Sequence, residues 1–248
     1  MLGLPSVAEP PLKLIILGRR RPGQTRGEHR HHIRRVHGEL VLRYIAEDPS
    51  HAPRRYVQNV VLDGEFPAVA AGADPFALDR DFVTQISFDE LAGLPRSRDT
   101  AFYRERLQGD EDHFVDQATV LPVPSSWREC RRSDGERPTH KVFVFSRRRA
   151  GVEREAFLQA WRDGAAALHA AVPGLRRHVQ NEPLARPGHP PPVDAIDELW
   201  LDDEAAAQAA LAAVRGWLQR TLVQAGLADD TDRLLLIAQE QVLHAGRA

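Results

Sequence analysis

The chain repeats itself. The segment KLIILGRRRPG at residues 13–23 aligns with KVFVFSRRRAG at 141–151, placing Lys13 on Lys141 at an offset of 128. Farther on, RRYVQN at 54–59 aligns with RRHVQN at 176–181, at an offset of 122. The matches fall in the same order, and the difference of six between the offsets is what one altered loop leaves. Two copies of one supersecondary unit, each with a face to bury, restrict the possible folds more than any single motif does.

Both copies read alike. An apolar run, Leu12 to Leu17 or Val142 to Phe145, is short and rich in branched or aromatic residues, as a buried strand is. A helical stretch follows, Thr25 to Tyr44 or Val152 to Ala171; in the second, Phe157, Trp161, Gly164 and Leu168 recur at helical spacing. Next come a strand at Tyr56 to Val61 or His178 to Asn181, a loop rich in Pro, Gly and Ala, and a strand at Phe82 to Phe88 or Ile196 to Leu201. A second helix spans Thr100 to Leu107 or Asp203 to Gln224, and a last strand lies near Val115 to Val123 or Arg233 to Val242. The order β-α-β-β-α-β is the ferredoxin-like split βαβ, an α+β unit. The boundaries are repeat 1 over residues 1–124, a polar linker over 125–138 and repeat 2 over 139–248. Two such units bury their open sheet faces by packing sheet to sheet, as an intramolecular α/β barrel with helices outside and a cavity between the sheets. Sheet edges left over would allow a second chain to pair, so both a monomer with an internal pseudo-dimer and a homodimer are open.

Composition removes several function classes. Of 248 residues, 42% are apolar and 27% charged, and no run of about 18 apolar residues offers a membrane span. The net charge of -2 argues against a nucleic-acid binder. Lys13 and Lys141 are the only lysines among 33 basic residues, which with the many alanines looks like the codon usage of a GC-rich genome. The arginine runs at 19–21 and 147–149 read as solvated strand ends. The amino-terminal residues lack the basic start and apolar core of a signal peptide, and Cys130 alone permits no internal disulfide, so a cytoplasmic setting is expected. No phosphate loop, nucleophile elbow or Cys/His metal spacing occurs.

Taken together, KLIILGRRRPG, RRVHGEL, RRYVQN and DEDHFVD resemble the EthD family of dimeric α/β barrel proteins, clearly over residues 12–124 and more weakly over 140–243. The resemblance implies a barrel with a central pocket. It also implies chemistry without metal or organic cofactor on hydrophobic, often aromatic or polyketide-like molecules, by ring closure, dehydration, decarboxylation or cofactor-free oxygenation. The fold is better specified than the reaction.

Histidine is the side chain best suited to moving protons near neutrality. His37 falls on the family's Val-His position and is the leading general acid/base; a helix-end residue bonded to a loop carbonyl is the alternative. Its counterpart in repeat 2 is Ala165, so the second half reads as a degenerate site. His29 corresponds to Phe157 and reads as a buried histidine or a pocket lining. On an α-helix His37 lies roughly 140° around from His32, so His29, His32 and His37 do not make a metal site. Along the second strand Tyr56 and Gln58 share one face and Asn59 takes the other. A neutral amide from Gln58 or Asn59 would hold a substrate carbonyl or enolate, unless it merely ties the strand to a loop. Thr84 and Gln85, which become Asp197 and Glu198 in repeat 2, are further cavity candidates. Asp116 is a candidate for orienting a histidine, and Tyr103 is a possible phenol donor. Neither haem nor metal is expected: His113, His169 and His178 read as surface or core residues, and Cys130 as inert.

The expected function is a cofactor-independent cyclase, dehydratase or decarboxylase with His37 working on a substrate in the barrel cavity. A cofactor-free monooxygenase of the same pocket and a non-catalytic small-molecule binder are the alternatives.

Overall fold

The computed structural model describes residues 12–67, 74–135, 138–185, 188 and 190–246. The amino-terminal segment without signal-peptide features lies almost wholly outside them, as do parts of the two loops rich in Pro, Gly and Ala.

Repeat 1 contains β1 (Leu12–Gly18), α1 (Arg26–His31), a π-helical segment (His32–His37) that runs on into α2 (Gly38–Glu47), β2 (Arg55–Glu65), β3 (Phe82–Phe88), α3 (Gly93–Arg98), a second π-helical segment (Tyr103–Leu107) leading into α4 (Gln108–Glu111), and β4 (Leu121–Arg132). Repeat 2 contains β5 (His140–Ser146), α5 (Arg154–Asp163), α6 (Ala165–Ala171), β6 (Arg177–Pro183), β7 (Ala195–Leu201), α7 (Glu204–Leu218) and β8 (Arg233–His244). Thr25 starts the first helix with a capping box: its side chain accepts from the Glu28 backbone N–H while the Glu28 carboxylate takes the Thr25 N–H.

The strands close into one antiparallel barrel in the order β1-β3-β2-β8-β5-β7-β6-β4. Each repeat supplies four neighbouring strands, and the seams are β2 with β8 and β4 with β6. Closure leaves no barrel edge for a second chain, against the expectation of spare edges. The last strand of repeat 1 also differs from its expected position. It runs from Leu121 to Arg132, well into the segment read as linker, because residues 125–132 pair with β6 across the seam. The stretch is polar since much of it lies near a mouth of the barrel. Nor are the arginine runs simply solvated. Arg20 and Arg148, at equivalent positions, pair with Asp81 and Asp194, while Arg147 reaches Asp74 and Arg149 reaches Asp229.

Alternation along the strands builds two environments. Residues facing the helices pack in repeat 2 around Phe157, Trp161, Leu168 and Trp217. Residues facing inward fill one end of the barrel with Ile15, Leu17, Phe143, Phe145, Ile196 and Leu236. Toward the other end the interior turns polar. Lys13 Nζ donates to Asn181 Oδ1 and Glu198 Oε1, both at 2.7 Å. Lys141 Nζ donates to Glu198 Oε2 at 2.7 Å, Glu240 Oε2 at 2.8 Å and Gln85 Oε1 at 3.0 Å. The lysines occupy equivalent positions, and each reaches into the opposite repeat. Burial pulls the Lys13 ammonium down from its ordinary value. Burial also works against the Glu198 carboxylate, but two lysines converge on it and hold it well below the usual carboxylate range. That doubly contacted carboxylate keeps the cluster charged.

A buried ion cluster is costly to break because the remaining charge stays desolvated. Lys141 is fully buried and Arg149 is half exposed. Lys141→Met is therefore expected to lower unfolding free energy by about 3–5 kcal/mol, whereas Arg149→Ala changes it by less than about 1 kcal/mol. Denaturant titration followed by circular dichroism checks both values; equal losses would remove the special role given to the interior cluster.

Candidate active site

The candidate residues separate into two groups, because neighbouring residues of a strand face opposite ways. Tyr56 and Gln58 point into the helix layer of repeat 1, where His29, His32 and His37 also lie. Asn59 and Gln85 point into the barrel, where Asn59 Nδ2 donates to the Val83 carbonyl at 2.7 Å and to Gln85 Oε1 at 3.2 Å. His37 is thus placed against the outer face of the sheet and does not line the barrel cavity, contrary to the expected single pocket. The helix stripe can only meet the sheet's outer face; the barrel wall separates it from the interior.

The centre of the helix-layer group is an acid that sequence reading passed over. Asp110 Oδ2 lies 2.9 Å from His37 Nδ1, and Asp110 Oδ1 lies 2.8 Å from His32 Nε2. On a regular helix His32 and His37 would diverge. The π-helical turn, in which the Gly38 N–H bonds back to the Ile33 carbonyl, closes i to i+5 and brings both imidazoles to one carboxylate. The second π-helical turn leads into α4, which carries Asp110. Burial opposes ionisation of Asp110, but hydrogen bonds from His37 and His32 lower its pKa overall. With Nδ1 of His37 committed to Asp110, the ring's Nε2 is the nitrogen left for a substrate, and the His37 side chain is 12% exposed. Phe114 packs on the His37 ring at 4.8 Å between centroids.

Behind His37 stands a polar pair on β2. Gln58 Nε2 donates to the Ile33 carbonyl and, at 2.6 Å, to the Tyr56 hydroxyl, while Gln58 Oε1 is buried without a partner. Both amide protons are engaged, so Gln58 offers an acceptor rather than the expected donor to an enolate. Tyr56 accepts from Gln58 and retains its own proton; burial, and secondarily the Glu111 and Asp110 carboxylates, push its pKa far up and keep it a neutral donor. Nearby, Tyr103 donates to Glu111 Oε1 at 2.9 Å.

Asp116 does not meet a histidine. Its N–H bonds to the Arg19 carbonyl and its own carbonyl accepts from the Thr119 hydroxyl, a turn role. Asp110 was the less visible candidate because its neighbours Glu111 and Asp112 are also acidic, and only helix phase selects it. His29 is buried between Phe82 and Phe114, 5.2 Å from the Phe82 ring. Cys130 is half-buried, and burial pushes its thiol up, away from a reactive thiolate.

Repeat 2 uses the same layer differently. Gln180 donates to the Trp161 carbonyl as Gln58 does to Ile33, and Asn181 donates to Ile196 as Asn59 does to Val83. These duplicated amides are structural ties in both halves. His178 replaces Tyr56 and is buried on Asp197, 2.8 Å away, which also takes the Trp161 indole N–H; His169 caps the row. Trp161 and Trp217 fill the space beside them.

Burial drops the His29 pKa from 6.5 to about 4. The unfolded chain therefore binds this proton more readily than the folded one. The contribution to stability is complete above pH 6.5 and is lost as pH falls toward 4, to a total of about 3 kcal/mol for a shift of this size. Substituting the residue that repeat 2 uses, His29→Phe, is expected to flatten the fall in unfolding midpoint between pH 7 and pH 4.5 without loss of stability at pH 7. An unchanged slope would place that pH dependence elsewhere.

Among known proteins, the EthD domain model matches residues 21–118. The chain is 26% identical over 113 residues to the decarboxylase AgnL1 of Paecilomyces divaricatus, spanning 42% of this chain and 70% of that protein. Over nearly its whole length it superimposes on the crystal structure of an anthrone oxidase-like protein, with a TM-score of 0.58, 15% identity and coverage of 97% of this chain and 96% of the other. That likeness establishes the fold. The segment that matches the EthD domain model, residues 21–118, thus lies in one half of a single-chain α/β barrel.

Proposed function

We propose that the chain is a cofactor-independent enzyme of the cyclase, dehydratase or decarboxylase type. In this reading His37 moves the proton, in the helix layer of repeat 1 rather than inside the barrel. The observation that carries it is the Asp110 carboxylate held on Nδ1 of His37, which fixes the tautomer and leaves Nε2 as the nitrogen for a substrate. A histidine held this way can take a proton α to a carbonyl, or return one to the carbon from which carbon dioxide has left. Tyr56 supplies a neutral O–H for the developing enolate oxygen, and Gln58 Oε1 accepts a substrate hydroxyl. Phe114 and Phe82 suit a hydrophobic, aromatic or polyketide-like substrate. The likeness of the matched segment to a decarboxylase supports carbon dioxide release over ring closure. A cytoplasmic setting and action as a monomer belong to the same reading.

A cofactor-free monooxygenase would use the same base on a phenol or anthrone, the carbanion then meeting oxygen. The two are separated by oxygen demand.

Turnover of an aromatic β-keto acid, followed by carbon dioxide release with and without oxygen, tests the proposal. His37→Ala and Asp110→Asn are each expected to lower kcat by about 10²–10⁴-fold while the fold is kept. Full activity in His37→Ala would overturn the assignment. Activity lost only without oxygen would favour the monooxygenase. Substrate binding without turnover, undisturbed by His37→Ala, would make the chain a binder.

A further inference from the structure

The polar end of the barrel opens into a cavity of about 890 Å³, a size that takes a small organic molecule. It is separate from His37. Its lining includes the interior-facing Lys13, Gln85, Glu198 and Glu240, two tryptophans, Trp127 and Trp200, and Arg132 and Arg177 near the rim.

The chemistry of this lining is asymmetric. Lys13 and Lys141 converge on Glu198 and Lys141 also meets Glu240, so these four interior side chains carry two charges of each sign. Nearer the rim, the Glu129 carboxylate is shared by Arg132 and Arg177, two cations on one anion. The aromatic walls carry cations as well. Lys13 lies 5.2 Å from the Trp127 ring centre, and Trp200 is flanked by Lys141 at 4.4 Å and Arg177 at 4.5 Å. Trp200 is 2% exposed, and its indole N–H, a donor only, is buried with no hydrogen-bond partner among the described residues. An unsatisfied buried donor beside these cations calls for an acceptor that carries negative charge. The half-buried Trp127 indole in the same lining calls for an aromatic body.

The two lysines add an independent argument. Arginine has taken almost every basic position in this chain, yet both interior positions keep lysine. A compact ammonium fits a crowded barrel interior that a planar guanidinium would overfill, and it leaves the volume at the mouth free.

We propose that the barrel mouth is a second small-molecule site, which takes a planar aromatic anion, a carboxylate or phenolate. The ring lies against Trp127, and the anionic oxygen meets the Trp200 N–H and the Arg132–Arg177 pair. This site is distinct from the helix-layer site and stands or falls without it.

Isothermal titration of the full chain at pH 7 with 2-naphthoate, and with 2-naphthol as the neutral counterpart, tests the proposal. Naphthoate is expected to bind at least tenfold more tightly than naphthol and to weaken as salt is raised. The double variant Arg132→Gln/Arg177→Gln is expected to lose at least tenfold in affinity, and His37→Ala to bind as the parent does. If the double variant does not fold, Trp127→Ala replaces it with the same expectation. Absence of naphthoate binding at millimolar concentration, equal affinity for naphthol, or binding lost in His37→Ala but kept in the arginine variant would each overturn the proposal. Loss of turnover in His37→Ala with naphthoate binding intact would support both sites, and retained turnover with binding intact would remove only the catalytic reading.

Discussion

Everything else in this molecule rests on the pairing of strands and charges between the two repeats across the barrel. A four-stranded ferredoxin-like sheet leaves one face and two edges unsatisfied. Here β2 pairs with β8 and β4 with β6, so each copy completes the other and no edge remains. The same pairing is written in side chains: Lys13 of the first copy reaches Asn181 and Glu198 of the second, and Lys141 of the second reaches Gln85 of the first. Two lysines and two glutamates in a low-dielectric interior are tolerable only as a complete set. The cluster is complete in the register in which the halves close.

Duplication has kept the ties and varied the chemistry. The glutamine of the RRxVQN strand holds a helix carbonyl in both copies, and the asparagine holds the neighbouring strand in both. What differs is what stands beside them. Repeat 1 places His37, His32 and Asp110 near Tyr56; repeat 2 has alanine at the position of His37 and fills the layer with Trp161 and Trp217. The helix layer of one half carries a partly accessible imidazole, with His29 Nε2 and Gln58 Oε1 unpartnered among the described residues, and that of the other half carries a packed core with a buried histidine–aspartate row.

Much of the fold was legible because it follows from periodicity. The order of strands and helices, the pairing of copies and the sharing of faces by Tyr56 with Gln58 all come from repeats of two and of about 3.6 residues along the chain. The site was legible only in part. His37, Tyr56 and Gln58 do meet in one layer, but Asn59 and Gln85 lie through the barrel wall from them, and Asp110 rather than Asp116 reaches the histidines. Two lysines among 33 basic residues were a visible signal of interior positions and read as codon usage instead.

The sequence by itself determined the duplication, the α+β unit and the placement of histidines on the first helix, since these depend on local spacing and on the need of each sheet to cover its apolar face. Tertiary structure decided which face of each strand became the barrel interior. It also decided where the cavity opens, and which acid the His37 ring meets. The physical reason is that a π-helical turn shifts helix phase by what the surrounding packing requires, and that barrel closure fixes inside and outside only when both copies are joined.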